Sequence, residues 1–281
     1  MPETTVALLH PGEMGVAVGA CLSERSMRVV WVSAGRSAAT RRRAEAAGFE
    51  DLGSLERALA AVEVVLSVCP PHGALELARE VARAGFRGTY VDANAISPAT
   101  AREVASAVES AGAAFVDGGI IGPPPGPGKS TRLYLSGARA AEVAGMFAGT
   151  RMPASVLDGA AGAASALKAC YAAWTKGATA LLATIRTLAR YEGVEKALLA
   201  EWDLSQPELP RRSEAILANA RKAWRWVGEM EEIAASFEAA GLPGGFHLAA
   251  AEVYSRLEDF KDAAAPPSLA EVAQALRGDH V

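Results

Sequence analysis

Hydrophobic positions change their spacing once along this chain, near residue 158. Before that point, short runs of β-branched residues alternate with stretches in which apolar residues recur with the period of a helix. The predicted strands are residues 5–9, 28–32, 62–68, 89–92, 114–117, 132–135 and 155–157. The predicted helices are residues 13–22, 38–47, 55–60, 74–84, 98–110 and 138–147. Strands that alternate with helices in this way indicate βαβ units and a mostly parallel sheet.

Beyond residue 158 the strand pattern disappears and only helical periodicity remains. The predicted helices of this part are residues 159–191, one or two amphipathic segments within 208–240, residues 246–260 and residues 268–276. The whole pattern predicts the α/β class, with a Rossmann-like doubly wound sheet followed by an all-α C-terminal domain. We place the boundary between residues 1–158 and residues 159–281, where the pattern changes.

Composition and charge limit the functions open to the chain. Its 281 residues are 51% hydrophobic and 21% charged, and the net charge of -4 gives no electrostatic footprint for nucleic acid. The 3 cysteines show neither metal-ligand spacing nor a disulfide framework, so we expect no metal and free thiols in a cytoplasmic setting. We expect neither a signal peptide nor a membrane span, since the apolar stretch at 159–183 contains lysines.

The turn after the first predicted strand carries the first functional signal. It runs His10-Pro11-Gly12-Glu13-Met14-Gly15 and leads into a helix of small apolar residues. Such a turn presents the first N–H groups of the helix and its dipole to a phosphate or pyrophosphate. Because His10 stands where the G-x-G-x-x-G fingerprint has its first glycine, an ordinary strand–turn–helix remains the alternative. The predicted cofactor contacts in this turn are Pro11, Gly12, Glu13, Met14 and Gly15.

The end of the second predicted strand indicates which dinucleotide fits. An acidic residue about 20 positions after the glycine turn is typical of NAD sites, and this strand runs instead into Ser33, Arg36 and Ser37. Thr40 and Arg41 follow them. A guanidinium and hydroxyl groups suit the 2′-phosphate of NADP, which needs charge-assisted donors. We therefore predict NADP (NADPH) as the cofactor, bound here by Ser33, Arg36 and Ser37, with a solvated basic helix start as the alternative.

Three further turns follow predicted strands, at the sheet edge where parallel sheets bind ligands. They are Cys69-Pro70-Pro71, Asp92-Ala93-Asn94 and Asp117-Gly118-Gly119. We expect them to form walls of one site, with Cys69, Pro70 and Asn94 beside the cofactor.

These motifs together resemble the β-hydroxyacid dehydrogenase superfamily, which includes 6-phosphogluconate and 3-hydroxyisobutyrate dehydrogenases. The chain looks most like the branch with a 6-phosphogluconate-dehydrogenase-type NAD-binding domain and a helical C-terminal domain of unknown function, DUF1932. The segments that carry the resemblance are residues 11–15, 67–71, 92–98, 116–122 and 162–176, in the same order over nearly the whole chain. The resemblance implies NAD(P)-linked oxidation or reduction next to a carboxylate-bearing carbon, on a small-molecule substrate, in a homodimer.

In this superfamily the catalytic lysine lies on the first long helix after the nucleotide domain, and Lys168 matches that position. An ammonium on an alanine-rich interior helix is costly unless it is paired or used, and burial would move its pKa toward neutrality. The resemblance thus implies that Lys168 is the general acid and base. A lysine that extends along the helix to solvent is the alternative.

The substrate contacts are also implied by the resemblance. They are Asn94, Ser97, Ile121, Gly122, Tyr171, Thr175 and His247. Asn94 and Ser97 equally suit a helix N-terminus, and a lone histidine at the start of an apolar helix is more often structural. Two departures point to a different substrate from those of the best-known members. Ala172 replaces a common asparagine, and Ile121-Gly122-Pro123 replaces the usual serine of the substrate loop.

Three functions follow from these observations. The first is an NADP(H)-dependent oxidoreductase acting on a small hydroxy- or keto-acid. The second is an imine reductase on the same scaffold, favoured by the missing asparagine and opposed by Lys168, which those enzymes typically replace. The third is a nucleotide-binding protein without turnover, suggested by His10 and the proline-rich loop at 123–127.

Overall fold

The computed structural model describes residues 4–261 and 263–278. The chain divides into two compact units, Met1–Ala169 and Cys170–Val281. The predicted boundary after residue 158 lies shortly before the helix Ala163–Tyr191, within which the chain passes from the first unit to the second. Within the described residues, every helix falls short of the length or the apolar content that a membrane span requires.

The first unit contains one sheet with helices on both faces. Its strands are β1 (Thr5–Leu9), β2 (Arg28–Trp31), β3 (Glu50–Asp51), β4 (Val64–Ser67), β5 (Thr89–Asp92), β6 (Ala114–Ile121), β7 (Arg132–Ser136) and β8 (Ala154–Val156). Its helices are α1 (Glu13–Ser23), α2 (Ala38–Ala46), α3 (Leu55–Ala60), α4 (Ala74–Arg83), α5 (Pro98–Glu109) and α6 (Ala140–Met146). The strand order is β3-β2-β1-β4-β5-β6-β7-β8. Strands β1 to β6 are parallel, and β7 runs antiparallel to β6. The predicted fold class is confirmed, with the strand order reversing between β1 and β4.

Alternating side chains of β1 supply two separate cores. Val6 and Leu8 pack in the cluster that includes α1, α2 and α6, whereas Ala7 and Leu9 pack in the cluster that includes α3, α4 and α5. Since successive side chains of a strand point to opposite faces, this uninterrupted apolar run is what a sheet covered on both sides requires. Because helices cover both faces of the sheet, the polar turns lie at its carboxyl edge.

The remaining helices begin with α7 (Ala163–Tyr191), which starts in the first unit and continues into the second. The second unit continues with α8 (Glu195–Ser205), α9 (Leu209–Ser213), α10 (Ala215–Asn219), α11 (Trp226–Ala239), α12 (Gly245–Ser255) and α13 (Leu269–Arg277). The helical character predicted for this part is confirmed. The Ser268 hydroxyl and the Glu271 carboxylate cap α13 reciprocally, which fixes its start.

Several predictions about elements were wrong. Strand β6 continues to Ile121 because its second half pairs with β7, so Asp117-Gly118-Gly119 lies within the strand and not in a turn after it. Helix α8 was not predicted. The strand β3 was missed, because its two residues are charged and exposed and therefore carry no hydrophobic signal. Residues 208–240 do not form one or two helices, since α9, α10, a 3₁₀ segment at Ala220–Arg225 and α11 divide them. The Ser213 hydroxyl donates to the Pro210 carbonyl and the Asn219 amide to the Ala215 carbonyl. These side chains compete with the helical hydrogen bonds where α9 and α10 end.

Candidate active site

The turn between β1 and α1 allows a ligand to approach the backbone closely. Gly12 precedes α1 with no side-chain cap from the described residues, and only its chain neighbours lie within 4 Å of where a Cβ would be. The first N–H groups of a helix point away from it, and its dipole is positive there. A Cβ on Gly15 would lie 2.4 Å from the His10 carbonyl oxygen, so glycine lets the helix start this close to the turn. The other predicted contacts here are buried Pro11 and the first helical residues Glu13 and Met14.

His10 adopts a backbone φ of 68° in this turn. Positive φ is uncommon outside glycine, although histidine adopts it more often than most residues. Its Nε2 contacts Nη1 of Arg36. Burial, followed by the Arg36 charge, lowers the pKa of His10 to about 4, so the ring is neutral near pH 7. A neutral ring that accepts at Nε2 carries its proton on Nδ1, and Nδ1 has no partner in the described part of the chain.

Hydroxyl and guanidinium groups gather where α2 begins. The Ser37 hydroxyl caps this helix by accepting from the Thr40 N–H at 3.2 Å. Arg41 donates from Nε to the Arg36 carbonyl at 3.3 Å. The side chain of Arg36 itself turns back toward His10, a direction that the sequence did not indicate.

Asp51 is an acid that sequence analysis missed at this place, because it lies on β3 rather than at the end of β2. Its Oδ1 accepts from the backbone N–H of Ser33 at 3.1 Å and of Gly53 at 2.8 Å. Burial opposes the change, but hydrogen bonds from these two residues and the charge of Arg41 lower the pKa of Asp51 below its ordinary value. The carboxylate therefore organises the β2 terminus on which Ser33 lies.

Asn94 joins the ends of β4 and β5 through its side chain. Its Nδ2 donates to Ser67 Oγ at 2.9 Å and to Asp92 Oδ2 at 2.8 Å, and its Oδ1 accepts from the Cys69 N–H at 2.5 Å. Ser97 caps α5 by accepting from the Thr100 N–H at 3.1 Å. These bonds are structural, and contact of Asn94 or Ser97 with a ligand stays a prediction.

Two carboxyl groups are completely buried behind these turns. Burial raises the pKa of Asp92 to about 7, with the Asp117 charge acting in the same direction and hydrogen bonds from Asn94 opposing it. Burial also raises the pKa of the Cys69 thiol to about 12, so the thiol stays neutral near pH 7, and its contact with a cofactor stays a prediction. Exposed Pro70 follows it.

Asp117 secures the start of α7. Its Oδ2 accepts from the N–H groups of Gly162 at 2.9 Å and Ser165 at 3.0 Å and from Ser136 Oγ at 3.1 Å. Its Oδ1 accepts from Ser165 Oγ at 2.6 Å. Gly162 has a φ of 100°, where an L side chain would be strained. Sequence analysis placed Asp117 in a wall of the site but missed this capping role, which joins residues 48 positions apart.

Lys168 lies one helical turn after Ser165, and its Nζ donates to the Ile120 carbonyl at 2.7 Å. A Cβ on Gly119 would lie 2.6 Å from the Ala164 carbonyl and 3.2 Å from the Lys168 Cβ. Gly119 therefore lets α7 approach β6 closely enough for the lysine to reach the strand end. Half-buried Lys168 is thus held at the carboxyl edge of the sheet.

The last residue of β6 and the first residue after it are the two remaining predicted contacts of the first unit. Ile121 is buried, and exposed Gly122 has a φ of 125°. A Cβ on Gly122 would lie 2.6 Å from the Ser130 carbonyl, so the loop closes tightly here. The Thr131 hydroxyl donates to the Pro123 carbonyl at 2.6 Å and braces the proline-rich segment.

Three predicted substrate contacts belong to the second unit. Tyr171 is exposed, and the Thr175 hydroxyl donates to the Tyr171 carbonyl at 3.1 Å along the same helix. His247 is buried, its ring lies 4.3 Å from that of Phe237, and burial lowers its pKa. Ala172, which replaces the common asparagine, is buried. Their roles toward a substrate stay predictions.

The second unit also contains a polar cluster that sequence analysis did not identify. Lys176 pairs with Glu229, and its Nζ lies 5.1 Å from the centre of the Trp226 ring. The Tyr254 hydroxyl donates to the Lys176 carbonyl at 2.6 Å. These contacts tie α7 to α11 and α12. Among the described residues, no group of His, Cys, Asp and Glu could hold a metal ion.

The residues of the first unit fit a nicotinamide dinucleotide. In the part of the chain that the structure describes, the N-cap Gly12 provides no side-chain cap for α1, the space beside it is open, and two buried nitrogens, His10 Nδ1 and Arg36 Nε, have no partner. Phosphate oxygens are acceptors that would satisfy such nitrogens.

Comparisons with known proteins agree with this geometry. Residues 5–147 match the family described as the NAD binding domain of 6-phosphogluconate dehydrogenase, and residues 189–257 match a domain of unknown function, DUF1932. No curated protein matches the chain.

Solved structures resemble the chain over nearly its whole length. A conserved protein, MTH1747, described as structurally similar to 3-hydroxyacid dehydrogenases, is 29% identical, with a TM-score of 0.68 over 92% of this chain and 98% of that one. Mycobacterium tuberculosis 3-hydroxyisobutyrate dehydrogenase, solved with L-serine, is 22% identical, and the match has a TM-score of 0.70. It covers 98% of this chain and 99% of that one. Aspergillus terreus reductive aminase, solved with NADPH and ethyl levulinate, is 20% identical, and the match has a TM-score of 0.59. It covers 96% of this chain and 98% of that one. The last two similarities show a shared fold.

Proposed function

Since the chain belongs to the β-hydroxyacid dehydrogenase superfamily and is an NAD(P)-dependent dehydrogenase or reductase, we propose that it transfers a hydride between NADP(H) and a small hydroxy- or keto-acid. The observation that carries the proposal is the position of Lys168, beside the end of β6 in the unit that binds the nucleotide. It puts a proton donor at the edge of the sheet where dinucleotides react.

The preference for NADP over NAD is supported by the groups at the start of α2. Ser37, Thr40 and Arg41 offer two hydroxyls and a guanidinium, which suit a dianionic 2′-phosphate. Asp51 favours a ribose hydroxyl instead, but its Oδ1 is already engaged by two backbone N–H groups and its charge is offset by Arg41. We therefore expect these groups to bind the 2′-phosphate of NADP more strongly than Asp51 binds the ribose hydroxyl of NAD.

Lys168 supplies the proton in the proposed reaction. The bound nicotinamide supplies the hydride in reduction and takes it up in oxidation. In reduction, the Lys168 ammonium gives a proton to the carbonyl oxygen as the carbon gains the hydride. In oxidation, the neutral amine takes the hydroxyl proton. The Ile120 carbonyl orients Nζ, and Asp117 fixes the helix that carries it.

The residues predicted to contact the substrate bear on its identity. They are Asn94, Ser97, Ile121, Gly122, Tyr171, Thr175 and His247, and none of them is an acid, a lysine or an arginine. A buried alanine at position 172 removes one amide that many superfamily members offer. We therefore propose a small acid different from the substrates of the best-known members.

An imine reductase is the second candidate, favoured by Ala172 and by the fold shared with a reductive aminase crystallised with NADPH. Lys168 opposes it, since imine reductases typically have another residue at that position. The third possibility, binding without turnover, predicts NADPH affinity with no activity that depends on Lys168.

A homodimer is part of the proposal, and the exposed face of α7 supports it. Trp174, Leu181 and Leu188 recur at intervals of seven residues, and Tyr171 and Tyr191 extend the row at both ends. All five are exposed, with 60% of Leu181 accessible. A heptad row of large apolar residues is typical of helix–helix association. We also propose a cytoplasmic location, which suits three free thiols.

Binding and turnover test the proposal separately. We expect wild-type protein to bind NADPH more tightly than NADH in fluorescence titrations, and to reduce keto-acids in a screen that also contains imines. Lys168→Ala should retain NADPH affinity and lose about 10²–10⁴-fold in kcat, the typical contribution of a general acid. Lys196→Ala, which removes an exposed lysine on α8, is the matched control.

The outcomes distinguish the three functions. Turnover of imines alone, unaffected by Lys168→Ala, would favour the imine reductase. Nucleotide binding without any turnover would favour the third possibility. Absence of nucleotide binding would remove the foundation of all three.

A further inference from the structure

The Arg36 side chain is directed toward the turn between β1 and α1, the predicted phosphate site, rather than toward the start of α2. Its Nη1 contacts the His10 ring in the β1–α1 turn. Its charge also acts on the Cys69 thiol at the end of β4. Since β1 and β4 are neighbours in the sheet, the guanidinium lies toward the point where the strand order reverses. In doubly wound folds the pyrophosphate binds at that point.

The Arg36 guanidinium lacks a close negative partner there. Burial lowers its pKa, and the electrostatic effects of Cys69 and then of Glu80 oppose this change without reversing it. Among the described residues, no carboxylate bonds to it, and its Nε has no hydrogen-bond acceptor. A partly buried cation in this condition gains most from an incoming anion.

We propose that Arg36 is a ligand of the cofactor pyrophosphate and that His10 is the residue that positions it. This inference rests on the proposed function, because it assumes that a dinucleotide binds. Ser37, Thr40 and Arg41 at the start of α2 would then bind the 2′-phosphate. The family fingerprint would instead predict that Arg36 binds it.

The chemistry of His10 suits this role. A neutral ring accepts from Arg36 at Nε2 and adds no charge that would repel the guanidinium. Its Nδ1–H is left as a second donor beside the α1 terminus. Pyrophosphate oxygens would satisfy both this N–H and Arg36 Nε. Histidine at the first position of the fingerprint thus gives up the backbone freedom of glycine, and its ring instead positions the Arg36 guanidinium.

Two arginine variants separate pyrophosphate from 2′-phosphate binding. We expect Arg36→Met to weaken NADPH and NADH by the same factor, about tenfold to a hundredfold, because both contain the pyrophosphate. The matched variant Arg41→Met should weaken NADPH and leave NADH nearly unchanged. Isothermal titration gives both Kd values without any turnover. Loss of NADPH affinity alone in Arg36→Met, or no loss for either dinucleotide, would overturn the proposal.

Variants at position 10 test the positioning role. His10→Gly restores the fingerprint glycine and relieves the positive φ, yet we expect it to weaken both dinucleotides about threefold to tenfold because Arg36 loses its support. His10→Asn tolerates the same φ and can accept from Arg36, so it should recover affinity. In the Arg36→Met background His10→Gly should cost little more.

Other outcomes at position 10 would overturn the role. Tighter binding by His10→Gly would mean that the imidazole obstructs the seat. Melting temperatures of the free variants show whether each one is folded. Wild-type protein that binds neither dinucleotide would refute the proposed function as well, whereas normal wild-type binding with insensitive variants would refute this inference alone.

Discussion

At the scale of single residues, the carboxyl of Asp92 links folding to protonation. It is completely buried at the end of β5, and burial raises its pKa from 3.8 to about 7. Once the chain unfolds, the carboxyl returns to water and to its ordinary pKa. The folded protein therefore binds this proton more tightly than the unfolded chain does.

We predict that this residue makes the protein less stable as pH rises from about 4 to about 7. In that window the unfolded chain releases the proton and the folded protein keeps it, so the free energy of unfolding falls, by on the order of 4 kcal/mol if the whole shift is expressed. Asp92→Asn cannot ionise and should show a flatter pH dependence, though with lower stability in acid because Asn94 loses an acceptor. Urea unfolding at several pH values compares the two, and parallel curves would contradict the prediction.

Sequence determined some residue roles at this scale and left others open. The need for glycine at position 15 followed from the motif, because the approach of a helix to the turn before it is a matter of local geometry. The direction of the Arg36 side chain did not follow, since it depends on His10, 26 positions away. The capping by Asp117 depends on the tertiary fold in the same way.

At the scale of elements, the contact between β6 and the start of α7 determines where Lys168 lies. Gly119 leaves the β6 side of this contact without a side chain, and the Asp117 carboxylate binds the first turn of α7. Most element bounds in the first unit were predictable within one or two residues, because strand and helix periods are local. Residues 208–240 were not, since side-chain hydrogen bonds break their helices.

We predict that Gly119→Ala destabilises the protein and lowers turnover. The new methyl would meet the Ala164 carbonyl at 2.6 Å, so α7 must shift, at a cost of about 1–3 kcal/mol. Gly145→Ala is the matched control. It lies within α6 with open space around it, so it should stabilise by about 0.5–1 kcal/mol. Thermal unfolding and kcat of both variants measure the difference, and equal melting temperatures would contradict the prediction.

At the scale of the whole molecule, the proposed homodimer would cover an apolar surface that folding leaves exposed. Trp174, Leu181 and Leu188 are exposed, with 63% of the tryptophan accessible. Exposed apolar residues in a heptad row are costly to solubility unless a partner covers them. A second copy of the chain presents the same row, as a two-fold interface requires.

We predict that Leu181→Glu combined with Leu188→Glu converts the proposed dimer to a monomer. Two carboxylates per chain would face each other across a desolvated contact, and repulsion together with lost burial opposes association. Leu204→Glu is the control, since this leucine is also exposed but lies on α8. Light scattering after size-exclusion chromatography gives the mass of each variant. A wild-type monomer, or an unchanged mass in the double variant, would contradict the prediction.

The four hydrogen bonds to Asp117 also restrict how this chain can be divided or recombined. A fragment that stops at residue 158 loses three of the four donors, although its carboxylate stays inside the sheet. A fragment that stops at residue 169 keeps them all and takes Lys168 with it. Exchange of nucleotide domains between relatives would therefore succeed only at a junction beyond the first turns of α7. The proposed cofactor site and the proposed proton donor, Lys168, would therefore be transferred together.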